Sequence, residues 1–352
     1  MMPTRPVIGI DIGGANLKYC VTDGSVLSRP FEMWKRSGEL AATLLADLIG
    51  LSSASSPPYA IAITMTGELA DCFDDREAGV RFIVDAAVQA GRQVNRKMQG
   101  VAPAMRFYGV DGAFHPADKA GANFETIAAA NWHALASWVA QAVVDRGTLI
   151  DIGSTTTDII RLSRGRVATS AMTDHQRLVE QSLVYIGCRR TPVCGLVRQL
   201  SHGNVACSVM NEWFATIDDA RILLGIEHER EDEIDTADGQ PRTVDRSIGR
   251  MARMIGLDRQ SVSIEQARDL AYQVIAAAKR EIRQAFESID DGQGVIVISG
   301  HGSDLFDVPA GRDVIDLRSR LNAEQSRCAP AWAVAQLMSR AIGADASGQQ
   351  SQ

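Results

Sequence analysis

No apolar run in this 352-residue chain approaches the ~20 residues that span a bilayer, so a membrane-crossing helix is not expected. A secretory leader is not expected either. Residues 1–6 (MMPTRP) lack an apolar leader core and run straight into a strand-like segment, which points to a cytoplasmic protein. Basic charge is in deficit: 36 Lys and Arg stand against 43 Asp and Glu, a net charge of −7, which excludes nucleic-acid binding driven by general basicity. Paired cysteines are absent as well. Cys20, Cys72, Cys188, Cys194, Cys207 and Cys328 are scattered without a C-x-x-C spacing, as expected of reduced, mostly buried thiols. Only Cys188 and Cys194, flanking a basic turn, leave room for a metal or redox role.

What remains is an ordinary globular composition, 45% hydrophobic and 22% charged, on a chain too long for one typical core. Strand and helix patterns alternate, which argues for an α/β architecture. Strands are expected over 7–12, 17–22 and 26–33, a helix over 39–50, a Ser/Pro-rich link over 52–58, and a buried strand over 59–64. Helix 76–98, strand 105–110 and a long helix over 124–144 complete the first half. The second half repeats the opening with strands over 148–152, 158–162 and 167–170. Helices over 212–224, 242–255 and 264–289 and a buried strand over 294–299 follow, and an alanine-rich helix over 329–342 leads to a polar tail. Ser261-Val262-Ser263 ahead of Glu265 and Gln266 marks the start of the third of these helices, and the acidic stretch 228–239 reads as an exposed loop. The duplication suggests two domains, 1–146 and 147–328.

Two segments about 140 residues apart carry the chemistry: VIGIDIGGANLK at 7–18 and LIDIGSTTTDII at 149–160. Each is an apolar strand ending in Asp, then a small-residue turn, then a returning strand. Such a turn exposes backbone N–H groups that suit an anion, while the Asp offers a hard oxygen to a divalent cation. Asp11 with Gly13, Gly14 and Lys18 forms the first candidate; Gly13 and Gly14 are expected to supply positive φ or a close backbone approach. Asp151 mirrors Asp11, the hydroxyls of Ser154, Thr155, Thr156 and Thr157 offer phosphate contacts, and Asp158 is either a base or a metal partner. A third element, VIVISGHGSDL at 295–305, is a buried strand ending in Gly300 and Gly302, where backbone meets a ligand. His301 either faces that ligand or serves the turn.

The order of these three elements resembles the phosphate-1, phosphate-2 and adenosine motifs of the sugar kinase/Hsp70/actin superfamily. The resemblance implies two ribonuclease-H-like α/β domains with an interdomain cleft, and a C-terminal helix over about 329–343 packing back on the first domain. Asp11-Ile12-Gly13-Gly14 and Asp151-Ile152-Gly153-Ser154 are similar to its hydantoinase/oxoprolinase branch. Within that branch, MTGELADCF at 65–73, ANWHA at 130–134, GCRRTPVC at 187–194 and DTADG at 235–239 resemble proteins of tetrahydromethanopterin-linked one-carbon transfer.

That resemblance implies a transferase of methanofuran or methylofuran biosynthesis. Such an enzyme joins a furanylmethyl diphosphate to the phenol of a glutamyl-tyramine or tyrosine-like acceptor and releases pyrophosphate. Mg²⁺ is the implied cofactor, with Asp11 and Asp151 as its ligands and Asp11, Asp151 or Asp158 taking the phenol proton. Gly13, Gly14, Lys18, Ser154, Thr155, Thr156, Gly300 and Gly302 would bind diphosphate. Glu68, Asp71, Arg189 and Arg190 would bind substrate, the arginines meeting either the diphosphate or the glutamyl carboxylates. Ser154 stands where many superfamily members carry glycine, and His301 interrupts the usual glycine run. Both departures favour an organic diphosphate over ATP. The alternatives are an ATP-dependent kinase or oxoprolinase-like hydrolase, and a non-catalytic nucleotide sensor. The partners expected are small molecules, with neither nucleic acid nor membrane; a homodimer is the working expectation for assembly.

Overall fold

A computed structural model describes residues 6–52, 60–98 and 103–348. Residues 1–5, most of the link expected over 52–58, Tyr59 and the last residues of the polar tail, 349–352, lie outside the described residues. The chain opens with strands β1 (Val7–Ile12), β2 (Asn16–Val21) and β3 (Val26–Pro30), helix α1 (Leu40–Leu51), strand β4 (Ala60–Met65) and helix α2 (Arg76–Met98). Strands β5 (Ala104–Tyr108) and β6 (Phe114–Pro116) and helix α3 (Asn131–Ala142) follow. Next come β7 (Gly147–Ile152), β8 (Thr157–Ser163), β9 (Arg166–Val167), α4 (Asp174–Glu180), β10 (Leu183–Val184), β11 (Gln199–His202) and β12 (Val205–Ser208). The remainder is α5 (Ile217–Leu223), α6 (Val244–Arg253), α7 (Ile264–Ile289), β13 (Val295–Gly300), β14 (Val314–Asp316) and α8 (Ala329–Gly348).

The described residues fall into two compact units: one within Met1–Gly147, Arg161–Gln176 and Leu317–Gln352, the other Thr148–Ile160 with Arg177–Asp316. In the first, the sheet order is β3-β2-β1-β4-β5-β6, with β1, β2 and β3 antiparallel and β1, β4 and β5 parallel. Both β1 and β4 are buried at every residue, as continuous apolar runs in a parallel pair require. Helix α8 lies against β1 so closely that a Cβ on Gly9 would meet the Ala331 carbonyl oxygen at 2.0 Å. The small side chains of Ala331 and Ala335 make that approach possible, and Trp332 meets Trp138 of α3 edge to face at 6.4 Å. Segment 161–176 joins this unit through β9, where the Gly165 amide donates to the Asp145 carbonyl at 3.0 Å.

In the second unit β10, β8, β7, β13 and β14 lie side by side, with β13 and β14 parallel. Its core joins Ile150, Ile152 and Ile159 of the sheet to Leu270, Val274 and Ile282 of α7. Ser263 caps α7 with Gln266 reciprocating, as the sequence indicates. The fold class is thus a duplicated α/β arrangement, each sheet opening on an Asp-bearing strand and its antiparallel neighbour.

Four elements depart from the sequence reading, the first being the strand expected over 167–170, which is only Arg166–Val167. The strand expected over 26–33 stops at Pro30, which has no N–H for the ladder. The long helix expected over 124–144 is broken into Phe124–Ile127 and Asn131–Ala142, because Ala129 adopts φ 50° and turns its amide toward a side chain of another loop. The helix expected over 212–224 begins at Ile217, fixed by a reciprocal cap between Thr216 and Asp219. Among the described residues no helix is long and apolar enough to cross a membrane.

Candidate active site

In the first unit, the β1–β2 turn closes with the Gly13 amide donating to the Asn16 carbonyl at 3.0 Å. Neither Gly13 nor Gly14 lies in the left-handed region, contrary to one of the two reasons expected for them. Gly14 has open space where a Cβ would stand, whereas a Cβ on Gly13 would stand 3.0 Å from the Asn16 carbonyl oxygen. Asp11 is 5% exposed, its Oδ1 is buried with no hydrogen-bond partner, and Lys18 is its neighbour across the strands. Burial holds the Asp11 carboxyl above the usual range, against the pull of Lys18.

The turn after β4 packs directly on this one. The Thr66 amide donates to the Ile12 carbonyl at 2.9 Å, and a Cβ on Gly67 would stand 3.1 Å from the Gly13 oxygen. Glu68 therefore lies just behind the Asp11 turn, 1% exposed, its Oε1 accepting from the Ala129 amide at 2.8 Å. Burial pushes its pKa up to about 7. Asp71, by contrast, is exposed and separate from this buried group.

The second unit repeats the turn. The Gly153 amide donates to the Thr156 carbonyl at 2.9 Å, and Ser154, Thr155 and Thr156 are half-buried beside Asp151. Two loops close on it. At the end of β13, Gly300 has φ +81°; a Cβ there would stand 2.2 Å from the Ile152 oxygen and 3.0 Å from Asp151 Oδ1. The amides of His301 and Gly302 both donate to the Ile152 carbonyl, at 3.1 and 3.2 Å. From the other side, the Cys188 amide donates to the Gly153 carbonyl at 2.9 Å, and those of Arg189 and Arg190 donate to the Ser154 carbonyl at 3.1 and 2.9 Å.

Arg221, on α5, fastens both loops, and nothing in the sequence reading singled it out. Its guanidinium donates to the carbonyls of Cys188 (3.1 Å) and His301 (3.3 Å) and to the carboxylates of Asp304 (2.8 Å) and Glu227 (3.3 Å), at 3% exposure. Asp158, expected as a base or metal partner, is instead paired with the buried Arg177 at 2.5 Å, which neutralises it. The acidic stretch 228–239 is largely exposed but anchored: Arg242 holds the His228 carbonyl and makes two bonds to Asp218, while Arg250 bridges Asp219 and Asp238. The Cys188 thiol is fully buried, and burial pushes its pKa up to about 12.

Two nearly identical Asp turns on duplicated sheets define the class. The hydantoinase/oxoprolinase family model matches residues 59–341, and the chain belongs to that family. A (4-{4-[2-(gamma-L-glutamylamino)ethyl]phenoxymethyl}furan-2-yl)methanamine synthase of Methanocaldococcus jannaschii is 30% identical over 342 residues, covering 96% of this chain and 98% of the relative. The protein of the same name from Methanococcus vannielii is 26% identical over 59% of this chain and 98% of its own. The nucleotide-free structure of an ATP-dependent acetone carboxylase shares the fold, with a TM-score of 0.54 at 11% identity over 94% of this chain and 70% of its own.

Proposed function

We propose that this protein is an enzyme of methanofuran or methylofuran biosynthesis, a transferase that forms an aryl-alkyl ether. It joins the furan-bearing carbon of a furanylmethyl diphosphate to the phenol oxygen of a glutamyl-tyramine or tyrosine-like acceptor. The observation that carries this reading is the likeness, over nearly the whole chain, to synthases whose name describes such a phenoxymethyl-furan product. The turns at Gly13 and Gly153 support it as two tight reversals, each following an Asp-bearing strand and each closed by its own glycine amide.

In this reaction the carbon–oxygen bond to diphosphate breaks and its electron pair leaves with pyrophosphate. The phenol oxygen forms the new bond and gives up its proton. A free phenol has a pKa of about 10, so a nearby carboxylate must receive that proton as the bond forms. Asp11 and Asp151 are the candidates. Asp158, neutralised by Arg177, is proposed to hold its strand instead.

Mg²⁺ fits the residues present. Asp11 Oδ1 is a buried acceptor without a protein partner, and among the described residues no group of three His, Cys, Asp or Glu could cage a metal alone. Asp11 and Asp151 are each proposed as a carboxylate donor to such a cation, with substrate phosphates as further donors. When bound, such an ion neutralises charge on the departing pyrophosphate. Lys18 beside the Gly13–Gly14 turn, and separately Ser154, Thr155 and Thr156 beside Gly300 and Gly302, are each proposed as contacts for diphosphate oxygens.

The test is incubation with Mg²⁺, the furanylmethyl diphosphate and γ-glutamyl-tyramine, reading pyrophosphate release and coupled mass. Stoichiometric ether and pyrophosphate are expected. Absence of product with this acceptor and with tyrosine overturns the reading, and ATP turnover in its place would favour a kinase.

A further inference from the structure

Strands β4 and β13 are apolar runs, AIAITM and VIVISG, and each is interrupted by a single hydroxyl: Thr64 in the first, Ser299 in the second. Both are buried, at 0% and 1% exposure, and among the described residues neither Thr64 Oγ1 nor Ser299 Oγ has a hydrogen-bond partner. Valine would fill the space of Thr64 without burying a bare hydroxyl, a state that native interiors rarely tolerate. Two such exceptions in one chain call for a common reason.

Their places in the two sheets are equivalent. In the first unit Thr64 is the register partner of Asp11 on β1, as Lys18 is from β2 on the other side. Register partners on adjacent strands project from one face of the sheet, about 4.8 Å apart. The Asp11 carboxylate, whose buried Oδ1 also lacks a partner, thus stands in a row between a cationic and a hydroxyl side chain.

In the second unit β13 lies beside β7, and the same bond recurs at the same offsets. The Thr66 amide, two residues past Thr64, donates to the carbonyl of Ile12, one past Asp11. The His301 amide, two residues past Ser299, donates to the carbonyl of Ile152, one past Asp151. Ser299 therefore comes to Asp151 as Thr64 comes to Asp11.

A carboxylate that ligates a cation is itself held by an outer hydrogen bond, which fixes its rotation and keeps the ligating oxygen aimed. A hydroxyl suits that purpose, because its proton turns to whichever oxygen needs it and it adds no charge to compete with the cation. We propose that Thr64 and Ser299 are positioning residues for Asp11 and Asp151. Each donates its hydroxyl proton to its own carboxylate when that carboxylate meets a divalent cation carried by a diphosphate. The inference rests on the reading of Asp11 and Asp151 as cation donors, and not on the transfer reaction.

Calorimetry with Mg²⁺ and inorganic pyrophosphate, without any acceptor, reads it directly. Thr64→Val keeps the shape and removes the hydroxyl. Affinity should fall about tenfold, the loss seen when an outer partner of a cation ligand is removed, while urea denaturation of the ligand-free protein finds no loss of stability. Thr64→Ser should bind nearly as wild type, and Thr64→Ala should repeat the loss if the valine variant folds poorly. Ser299→Ala should lower the affinity by a similar factor. In an Asp11→Asn background Thr64→Val should lower it no further, since it acts through Asp11.

The proposal is overturned if wild-type protein does not bind magnesium pyrophosphate, if either hydroxyl deletion leaves the affinity intact, if serine at 64 does not rescue, or if the loss adds to that of Asp11→Asn. The transfer reading is judged apart from it. Hydroxyl-dependent pyrophosphate binding without ether formation would sink the transferase and keep the pairing; ether formation by a protein whose pyrophosphate affinity ignores both hydroxyls would do the reverse.

Discussion

The backbone amide of Ala129 donates to the carboxylate of Glu68 across 61 positions of sequence, and neither end of that bond reaches solvent. It interrupts what would otherwise be one long helix, and it fixes the loop behind the Asp11 turn. The second oxygen of Glu68 is buried without a partner, so the group is easier to keep protonated than ionised.

A stability profile follows from that. With a folded pKa of about 7 against an ordinary 4.5, Glu68 holds its proton in the folded chain over a range where the unfolded chain has lost it. Its contribution is complete below the lower value and is lost as pH rises through the higher one, an effect of about 3 kcal/mol. Glu68→Gln cannot ionise and keeps an acceptor for Ala129. Relative to wild type, its urea-unfolding free energy should therefore rise by about that amount between about pH 4 and pH 8. A difference that stays constant with pH would show that Glu68 does not titrate as argued.

Asp11→Asn should act in opposite directions on binding and on folding. Removing an ionisable carboxyl that burial disfavours should leave the free protein as stable as before or more so. Affinity for Mg²⁺ with pyrophosphate, measured by calorimetry, should fall by about two orders of magnitude. Unchanged affinity would take Asp11 out of the metal site.

Arg221→Met should cost about 3 kcal/mol in urea denaturation, since two carbonyls and two carboxylates lose a common donor. Arg221→Lys should recover only part of that, because an ammonium cannot span partners on opposite sides of a planar fork. Full recovery by lysine would mean that charge alone matters there.

Gly300→Ala meets two obstacles at once. Left-handed backbone costs an alanine about 1–2 kcal/mol, and its Cβ would press on the Ile152 oxygen at 2.2 Å. Wild-type stability by urea denaturation, together with intact pyrophosphate binding, would refute the tight seating of this loop on β7.

The Asp turns were legible as structure because their signals are local: an apolar run, an Asp and small residues dictate a strand and a tight reversal within about ten positions. The same locality made the α7 cap at Ser263 readable. Arg221 was not legible, because a lone arginine on a short helix reads as a solvated charge until the loops that converge on it are known. Nor was the break at Ala129, where an alanine of high helix propensity is overridden by a carboxylate from a distant loop. Asp158 was legible as a motif position, but its pairing with the buried Arg177, 19 positions on, was not.

The contact between α8 and β1 sets an order of events during synthesis. The strand bearing Asp11 leaves the ribosome early, yet the alanine-lined helix that covers Gly9 is encoded far downstream, after the whole of the second unit. Until that helix is made, β1 and β4 present an uncovered apolar face, so the nascent first unit stays an open half-layer and a natural client for chaperones.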